Sequence, residues 1–539
     1  EPGKFHVEAM AKRSAEEADK LDGVPLAKRA RLSRAKLAPH SKRAALADEE
    51  NGQSYAAKLE AFEVFTRTDG WGHINEADVG PGTCCRLRFL LKWKMQDRQK
   101  VANARALYQG SKHRDVAEGQ LDRGAPTLSW LGRRAVMLWA SLRKWRLFSA
   151  DVKPAFLRAE GASARGLMLR ASPTKGMREM LSHQIGQQPG QPLKMINPCF
   201  GDPRSPKLWR YRSDEVPEAI GFKNRSLEDC LLLSLRPGRV EDDPFDARSF
   251  EGQTYAVDGL IGEHVDDLIG CGEGATNEQG PIREAEQSLS TYSVTLKFEK
   301  YLHAVKLIAV VEHRRADPAR ALSPKEPANF RTLNGQLQRP AAQGVIIPAA
   351  AVSFRASATG PATVQDFLDA NKDLRFLKAH ADVGLHFEFD TAWSDLRVGS
   401  YTDANWTSRH DGSSQGGNAI FIGPADELNA GTPTPFVAME WASKKLQRLC
   451  RSSLSAEAQA AASGADSLMW VKVSLAWNLH PDMELEEAMV YLEESPFITD
   501  AKCLYDASRS STAGLGIMEK RTAIEVKIVN EQMTEIGVT

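Results

Sequence analysis

The stretch TYAVDGLIGEHVDDLIGCG, Thr254 to Gly272, constrains the fold more than any other part of this chain. Two apolar runs flank an adjacent pair of acids, Asp266 and Asp267, and such a pattern predicts a β-hairpin with both carboxylates at or beside its turn. Two like charges at a tip repel each other. The arrangement becomes useful in two-metal phosphoryl transfer, where a pair of Mg²⁺ ions about 3.5 to 4 Å apart needs several carboxylate oxygens and few other ligands. A third acid at another strand end would complete the cage, and Asp151 in LFSAD is the candidate. An Asp-Asp pair also arises by chance about once or twice in a chain of this size. Asp242 and Asp243 are such a pair, set in VEDDPFD before a proline and without flanking strands, and read as a solvated loop.

The chain has 539 residues and a mass of 59.3 kDa. At roughly 100 to 200 residues per domain it holds about three domains, too many for a single small binding module. Apolar residues at 42% and charged residues at 26% suit a folded globular chain. Lys plus Arg and Asp plus Glu each total 70, so whole-chain charge attracts neither nucleic acid nor an anionic membrane, and any phosphate-binding surface must be local. No apolar run reaches the roughly 18 residues of a membrane span, and the longest candidate, Gly344 to Phe354, is broken by Pro348. The 7 cysteines include no C-x-x-C pair, which argues against a zinc knuckle or a disulfide framework and for a reducing compartment. No basic segment followed by an apolar core opens the sequence, so it does not predict secretion.

Residues 1 to 54 contain almost no large apolar side chains and read as a disordered basic arm. Within it, AKRARLSRAK (Ala27 to Lys36) reads as a nuclear-import address, a loose phosphate clamp or a plain solvated stretch. Arg88 to Met95 predicts a strand, and Ser129 to Arg146 a core helix N-capped by the serine. Arg165 to Lys194 and Arg236 to Gly252 lack periodicity and read as loop-like insertions. Beyond Thr391, VGSYTDANW, GGNAIFIG and FVAMEWASKK predict three short strands, followed by a helix from Ser455 to about Trp477, a separate α/β domain.

From about Leu59 to Met533 the chain resembles the reverse transcriptase and ribonuclease H region of copia-type LTR retrotransposons. FSADVKPAFL looks like the family's D-V-K-x-A-F-L block, HVDD at His264 to Asp267 like its Y-V-D-D box, and IGFKNRSLEDC from Ile220 like its I-G-F-x-x-S-x-x-D block. KWKMQDRQKVANARALYQG resembles the finger strands ending in K-A-R-L-V-x-x-G, and FRTLNGQL the block after the palm. YTDANW, SSLSAEAQAAA and FITDAKCLYD resemble the ribonuclease H blocks Y-S-D-A-D-W, S-S-x-E-A-E-Y and the strand and turn carrying C-D-N.

The resemblance implies an α+β chain: a right-hand polymerase of fingers, palm and thumb, then a ribonuclease H-like α/β domain. Its segments would be fingers and palm at 55 to 300, thumb and connection at 301 to 390, and the ribonuclease H-like domain, C-terminally truncated, at 391 to 539. Asp151, Asp266 and Asp267 would be the polymerase metal ligands, with the backbone near Val152 beside the incoming triphosphate. Phe156 would exclude a ribose 2′-hydroxyl, its alternative being a core aromatic, and Arg105 would contact nucleotide phosphates, its alternative being a surface arginine. Asp403, Glu457 and Asp500 would form a second metal cluster, Asp506 being the rival for the third place, and Glu525 stands where the family has a further acid. Each site would take two Mg²⁺ ions, or Mn²⁺ in their place. The implied partners are an RNA template, a DNA primer, RNA–DNA hybrid and deoxynucleoside triphosphates, together with integrase or capsid parts of the same polyprotein. A cytoplasmic particle, the nucleus, or both would be the location. His264, Asn103 and Arg204 depart from the family's aromatic, lysine and glutamine, so a catalytically decayed remnant that keeps the fold is the alternative to an active enzyme.

Overall fold

A computed structural model describes residues 53–73, 84–112, 124–159, 169–173, 193–213, 222–237, 248–272, 294–296, 317–357, 361–389 and 391–538, with short gaps inside these ranges. Residues 1–52 of the basic arm and the Asp242–Asp243 pair lie outside the described residues, while Gln53 and Ser54, expected in the arm, open a helix with Ser54 buried. Helices and strands mix along the chain, an α+β architecture. It separates into two compact units that interleave in sequence, one of residues 1–125 and 153–215, the other of 126–152 and 216–539.

The first unit is built on a five-stranded sheet in the order Trp71–His73, Leu193–Met195, Leu169–Pro173, Cys84–Gln96, Gln99–Tyr108. The last two form a long hairpin running from Leu87 opposite Tyr108 to Gln96 opposite Gln99, so the expected strand at Arg88 is present and longer than its pattern. The helix Gln53–Arg67 supplies Phe62 and Phe65, which pack on Trp71 at ring separations of 5.0 and 5.1 Å over a core of Leu87, Leu193 and Met195. The segment Arg165 to Lys194, expected as a loop, contains strand residues. Leu169–Pro173 pairs in parallel with Cys84–Leu87 and antiparallel with the 193–195 strand. Its sequence, LRASP, contains no β-branched or aromatic residue, and backbone pairing on both edges makes it a strand.

In the second unit an antiparallel sheet runs in the order Arg146–Asp151, Asp267–Gly272, Gln253–His264, Leu231–Pro237, Phe222–Arg225. Arg248–Phe250 also pairs with Gln253–Tyr255, which corrects the second expected loop. The helix Trp130–Leu142 packs on this sheet through Val136, Trp139 and Ala140 against Leu147, Leu233, Leu260 and Cys271. Ser129 caps it, its Oγ accepting from the Gly132 N–H at 2.9 Å, and donates through the same hydroxyl to Glu228 at 2.8 Å. The helix ends four residues earlier than its pattern because Lys144 turns to φ 54°, a left-handed stop.

Three helices, Glu326–Gln343, Ala349–Ala356 and Val364–Ala379, enclose their own core of Phe330, Leu333, Leu337, Phe367 and Leu374. The C-terminal sheet follows in the order Val437–Lys445, Gln415–Pro424, Leu396–Asn405, Phe497–Thr499, its last strand parallel to the third. A parallel pair needs a long crossover, and the helix Ser453–Leu479 supplies part of it. That helix lies so close to the sheet that a Cβ at Gly464 would stand 2.3 Å from Thr402 Cγ2, so only glycine fits. The three strands and the helix expected beyond Thr391 are all present.

Segments expected to be separate share one core in this unit. Trp139 and Trp393 pack with ring centroids 4.7 Å apart, within an apolar cluster that continues to Val398, Ile420 and Leu468. Arg134 is buried in the same seam, donating to the carbonyls of Met439 at 2.7 Å and Ala342 at 2.8 Å with its guanidinium 3.9 Å over Trp441. Burial pushes its pKa down to about 10, which still leaves it charged at neutral pH. Replacing it with methionine orphans buried carbonyls, so Arg134→Met is expected to lose at least about 2 kcal/mol of stability. Denaturant unfolding measures this, and an unchanged midpoint and slope would contradict the assigned role. Among the described residues no helix is long and apolar enough to cross a membrane.

Candidate functional site

The predicted hairpin exists: His264 pairs with Asp267, leaving Val265 and Asp266 as a two-residue turn. Val265 sits at φ 63°, a region that β-branched residues rarely enter and that hairpin turns reserve for Gly, Asn or Asp. On the other side of the tip, Asp151 is the direct Cα partner of Asp267, and the Val152 N–H donates to the Asp266 carbonyl at 2.9 Å. Backbone register alone therefore gathers Asp151, Asp266 and Asp267 at two adjoining strand ends. Asp266 and Val152 are half-buried and Asp267 is exposed. Nearby, burial lowers the pKa of Arg133, while the charge of Asp267 works against that shift and Arg339 adds to it. Strain of this kind costs of order 1–3 kcal/mol, so Val265→Gly is expected to raise the unfolding free energy by about 1 kcal/mol. A melting temperature at or below that of the unaltered chain would show that the turn carries no strain.

Phe156 and Arg105 both belong to the first unit. Phe200 joins them: its ring packs edge-on to Phe156 at 5.5 Å, and Arg105 Cζ lies 4.7 Å from its centroid. Arg105 is exposed and Phe156 half-buried. Sequence reasoning missed Phe200, whose only signal is an aromatic in the Cys199–Asp202 turn. Close by in sequence, Arg204 is buried, with Nε 3.4 Å from Asp202 Oδ1.

The second acid set is complete in side-chain detail. Asp403 lies on the strand Leu396–Asn405, Glu457 in the first turn and a half of the helix Ser453–Leu479, and Asp500 just past the strand Phe497–Thr499. One carboxylate oxygen from each lies within 4.8 Å of the others. Asp403 and Asp500 are exposed, while Glu457 is 8% exposed. Burial first, and then the charges of Asp403 and Asp500, push the Glu457 carboxyl up to about 7, against a hydrogen bond from the Ala404 backbone. Its Oε2 is buried with no hydrogen-bond partner. An orphaned carboxylate oxygen among two further acids is what a divalent cation would satisfy, so these residues fit one.

Glu525 does not join this cluster. Its carboxylate is ion-paired with Arg448, and although burial raises its pKa, that guanidinium pulls it back. The rival Asp506 lies exposed on the helix Lys502–Arg509 and is likewise outside the cluster. A strand end, a helix start and the residue after a parallel strand converge, whereas Asp506 has been carried onward by the helix.

No protein-family model matches this chain, and no curated protein matches it. Solved structures do. A foamy viral protease-reverse transcriptase dRH in complex with double-stranded DNA aligns with 8% identity and a TM-score of 0.46, covering 90% of this chain and 69% of the other. The foamy viral protease-reverse transcriptase in complex with RNA/DNA hybrid aligns with 10% identity and a TM-score of 0.41 over 84% and 49% of the two chains. In complex with double-stranded DNA, the figures are 10%, 0.43, 90% and 82%.

Proposed function

We propose that this chain is an RNA-directed DNA polymerase with ribonuclease H activity of the copia retrotransposon type, arranged as fingers, palm and thumb followed by a ribonuclease H-like domain. The observation that carries the reading is the presence of two separate acid sets on one chain, one gathered by strand register at a strained turn and one closed to within 4.8 Å on a second sheet.

Asp151, Asp266 and Asp267 would hold Mg²⁺ at the first site and Asp403, Glu457 and Asp500 at the second, with Mn²⁺ as a substitute. A divalent ion in such a site stabilises charge on a transferring phosphoryl group and generates a nucleophile at neutral pH. The chain's own residues position the reactants. The turn residue Val265 fixes where Asp266 projects from the hairpin, and the backbone at Val152 is tied to it. Within the first unit, Arg105 would offer a cation to triphosphate oxygens and Phe156, braced by Phe200, a ring to a sugar. RNA template, DNA primer, hybrid and deoxynucleoside triphosphates are the partners in this reading, with other polyprotein parts beside them, in a cytoplasmic particle or the nucleus.

The buried Arg204–Asp202 contact favours a second reading, a decayed copy that keeps the fold and hybrid binding, because an arginine engaged internally does not serve a nucleotide. Primer extension on RNA and DNA templates, with release of labelled RNA from a hybrid, separates the two. Turnover in Mg²⁺ supports the enzyme, and inertness in both assays supports the remnant. In an active chain, Phe156→Ala is expected to relax discrimination against ribonucleotides by about tenfold or more, the scale of a removed steric contact. Competition between deoxy- and ribonucleotides reads it, and an unchanged ratio would refute the sugar contact.

A further inference from the structure

Two of the three C-terminal acids are placed by one hydrogen-bonded ladder. The strand Phe497–Thr499, which delivers Asp500, runs parallel to the strand carrying Asp403, with Thr499 opposite Thr402. Glu457 has no such ladder, because it rides on the helix Ser453–Leu479. Further along, that helix is tied to the sheet by the Asn418 amide, which donates to the Ser463 carbonyl at 3.1 Å and to Ser467 Oγ at 3.2 Å. The helix start, where Glu457 sits, needs ties of its own, since three carboxylates within 4.8 Å repel one another. One is the Ala404 N–H, which reaches Glu457 directly.

Trp406 supplies the other. It follows directly on the strand Leu396–Asn405, three residues past Asp403, and its indole Nε1 donates to the Cys450 carbonyl at 3.0 Å. Cys450 lies two residues before Ser452, the N-cap of the Glu457 helix, whose Oγ accepts from the Ser455 N–H at 3.1 Å. The Cys450 thiol accepts in turn from Gln459 Nε2 at 3.1 Å, two residues beyond Glu457. Buried Cys450 therefore bridges the end of the Asp403 strand and the start of the Glu457 helix. Just past Trp406 the chain turns sharply: Thr407 takes φ 50°, a left-handed position that β-branched residues rarely enter, and its N–H donates to Ser414 Oγ at 3.0 Å. Trp406 itself is 44% exposed, so burial gives only a weak reason for a large ring there. The N–H is what distinguishes it from phenylalanine.

We propose that Trp406 is a positioning residue for the C-terminal acid set, its indole N–H fixing the helix start so that Glu457 meets Asp403 at a separation a divalent cation can bridge; the cation rests on the reading of this set as a metal site given above. The test is a Mn²⁺ titration of the full chain read by electron paramagnetic resonance, the C-terminal contribution being the part that Asp403→Asn abolishes. Trp406→Phe keeps a ring and loses the donor, and is expected to weaken that contribution by at least about tenfold, the scale for groups that orient metal ligands from behind. Melting in chelator separates this from a purely structural role: a lower melting temperature with unchanged Mn²⁺ affinity overturns the proposal, as does no change in either. A second variant carries β-(3-benzothienyl)alanine at position 406, with sulfur in place of the N–H in a ring of nearly the same shape, so packing is kept. It is expected to weaken Mn²⁺ binding to the same extent, and full affinity there also overturns the proposal. Hybrid cleavage by the unaltered chain is the separate readout for the nuclease reading. A chain that binds Mn²⁺ through Asp403, loses that binding without the indole N–H and yet cleaves no hybrid supports the Trp406 assignment and removes the nuclease. If the unaltered chain binds no ion through Asp403, the metal site fails and the assignment falls with it.

Discussion

Asp403→Asn is expected to lower release of RNA from a hybrid by at least about 100-fold, the upper end of what loss of even an outer partner costs a metal site. The substitution keeps the shape of the side chain and removes one of three carboxylate charges gathered within 4.8 Å. Primer extension should stay within about twofold, because Asp151, Asp266 and Asp267 occupy a different sheet and share no ligand with this cluster. The same change should stabilise the metal-free protein. Glu457 titrates near 7 when folded, above its ordinary 4.5, so the folded chain holds a proton that the unfolded chain releases. Stability from that proton is complete below about pH 4.5 and is lost as pH rises through about 7, where the ionised Glu457 stands buried beside two like charges. With Asp403 neutralised, that loss shrinks. In chelator, the melting temperature of Asp403→Asn should exceed that of the unaltered protein at pH 8 and approach it at pH 5. A variant that cleaves RNA normally would remove Asp403 from the site, and a lower melting temperature at pH 8 would show that the acids do not repel.

Asp266→Asn is the converse experiment, with an equally large effect on the other activity: DNA synthesis should fall by at least about 100-fold while hybrid cleavage persists. Its backbone carbonyl, which accepts from Val152, is untouched, so the turn keeps its geometry and only the charge is lost. Hybrid binding should be retained, since it draws on Lys and Arg contacts to phosphate. The shared core joining the Trp130–Leu142 helix to the C-terminal sheet makes a fold control necessary. A variant that unfolds at one site would weaken the other through that core, whereas a charge change in a folded protein would not. If Asp266→Asn lost both activities with an unchanged melting temperature, the assignment of two independent sites would be wrong.

Local chemistry was legible in the residues themselves. The hairpin around Asp266 follows from its alternating apolar runs, the start of the Trp130–Leu142 helix from Ser129, and the C-terminal strands and long helix from periodicity. These depend on neighbours a few residues apart, and hydrophobic pattern and capping report such neighbours directly. The strand Leu169–Pro173 was not legible, because its alternation spans only five residues with no β-branched or aromatic side chain, and hydrogen bonds on two edges decide it. Nor was the end of the Trp130–Leu142 helix, which the left-handed Lys144 sets against a still-helical pattern.

For the sites, strand pattern in the sequence singled out Asp151, Asp266 and Asp267, whereas Asp403, Glu457 and Asp500 were nominated by the resemblance of the C-terminal blocks to a known family. Only the tertiary structure decided which of them meet. Asp151 stands opposite Asp267 through pairing of strands far apart in the chain, and Glu525 is drawn to Arg448, not to the acid cluster. Phe200 joins Phe156 to Arg105 by the same kind of long-range packing. The physical reason is common to all three: a side chain's local sequence sets its direction from the backbone, but its partner is chosen by register and burial between segments that no local pattern connects.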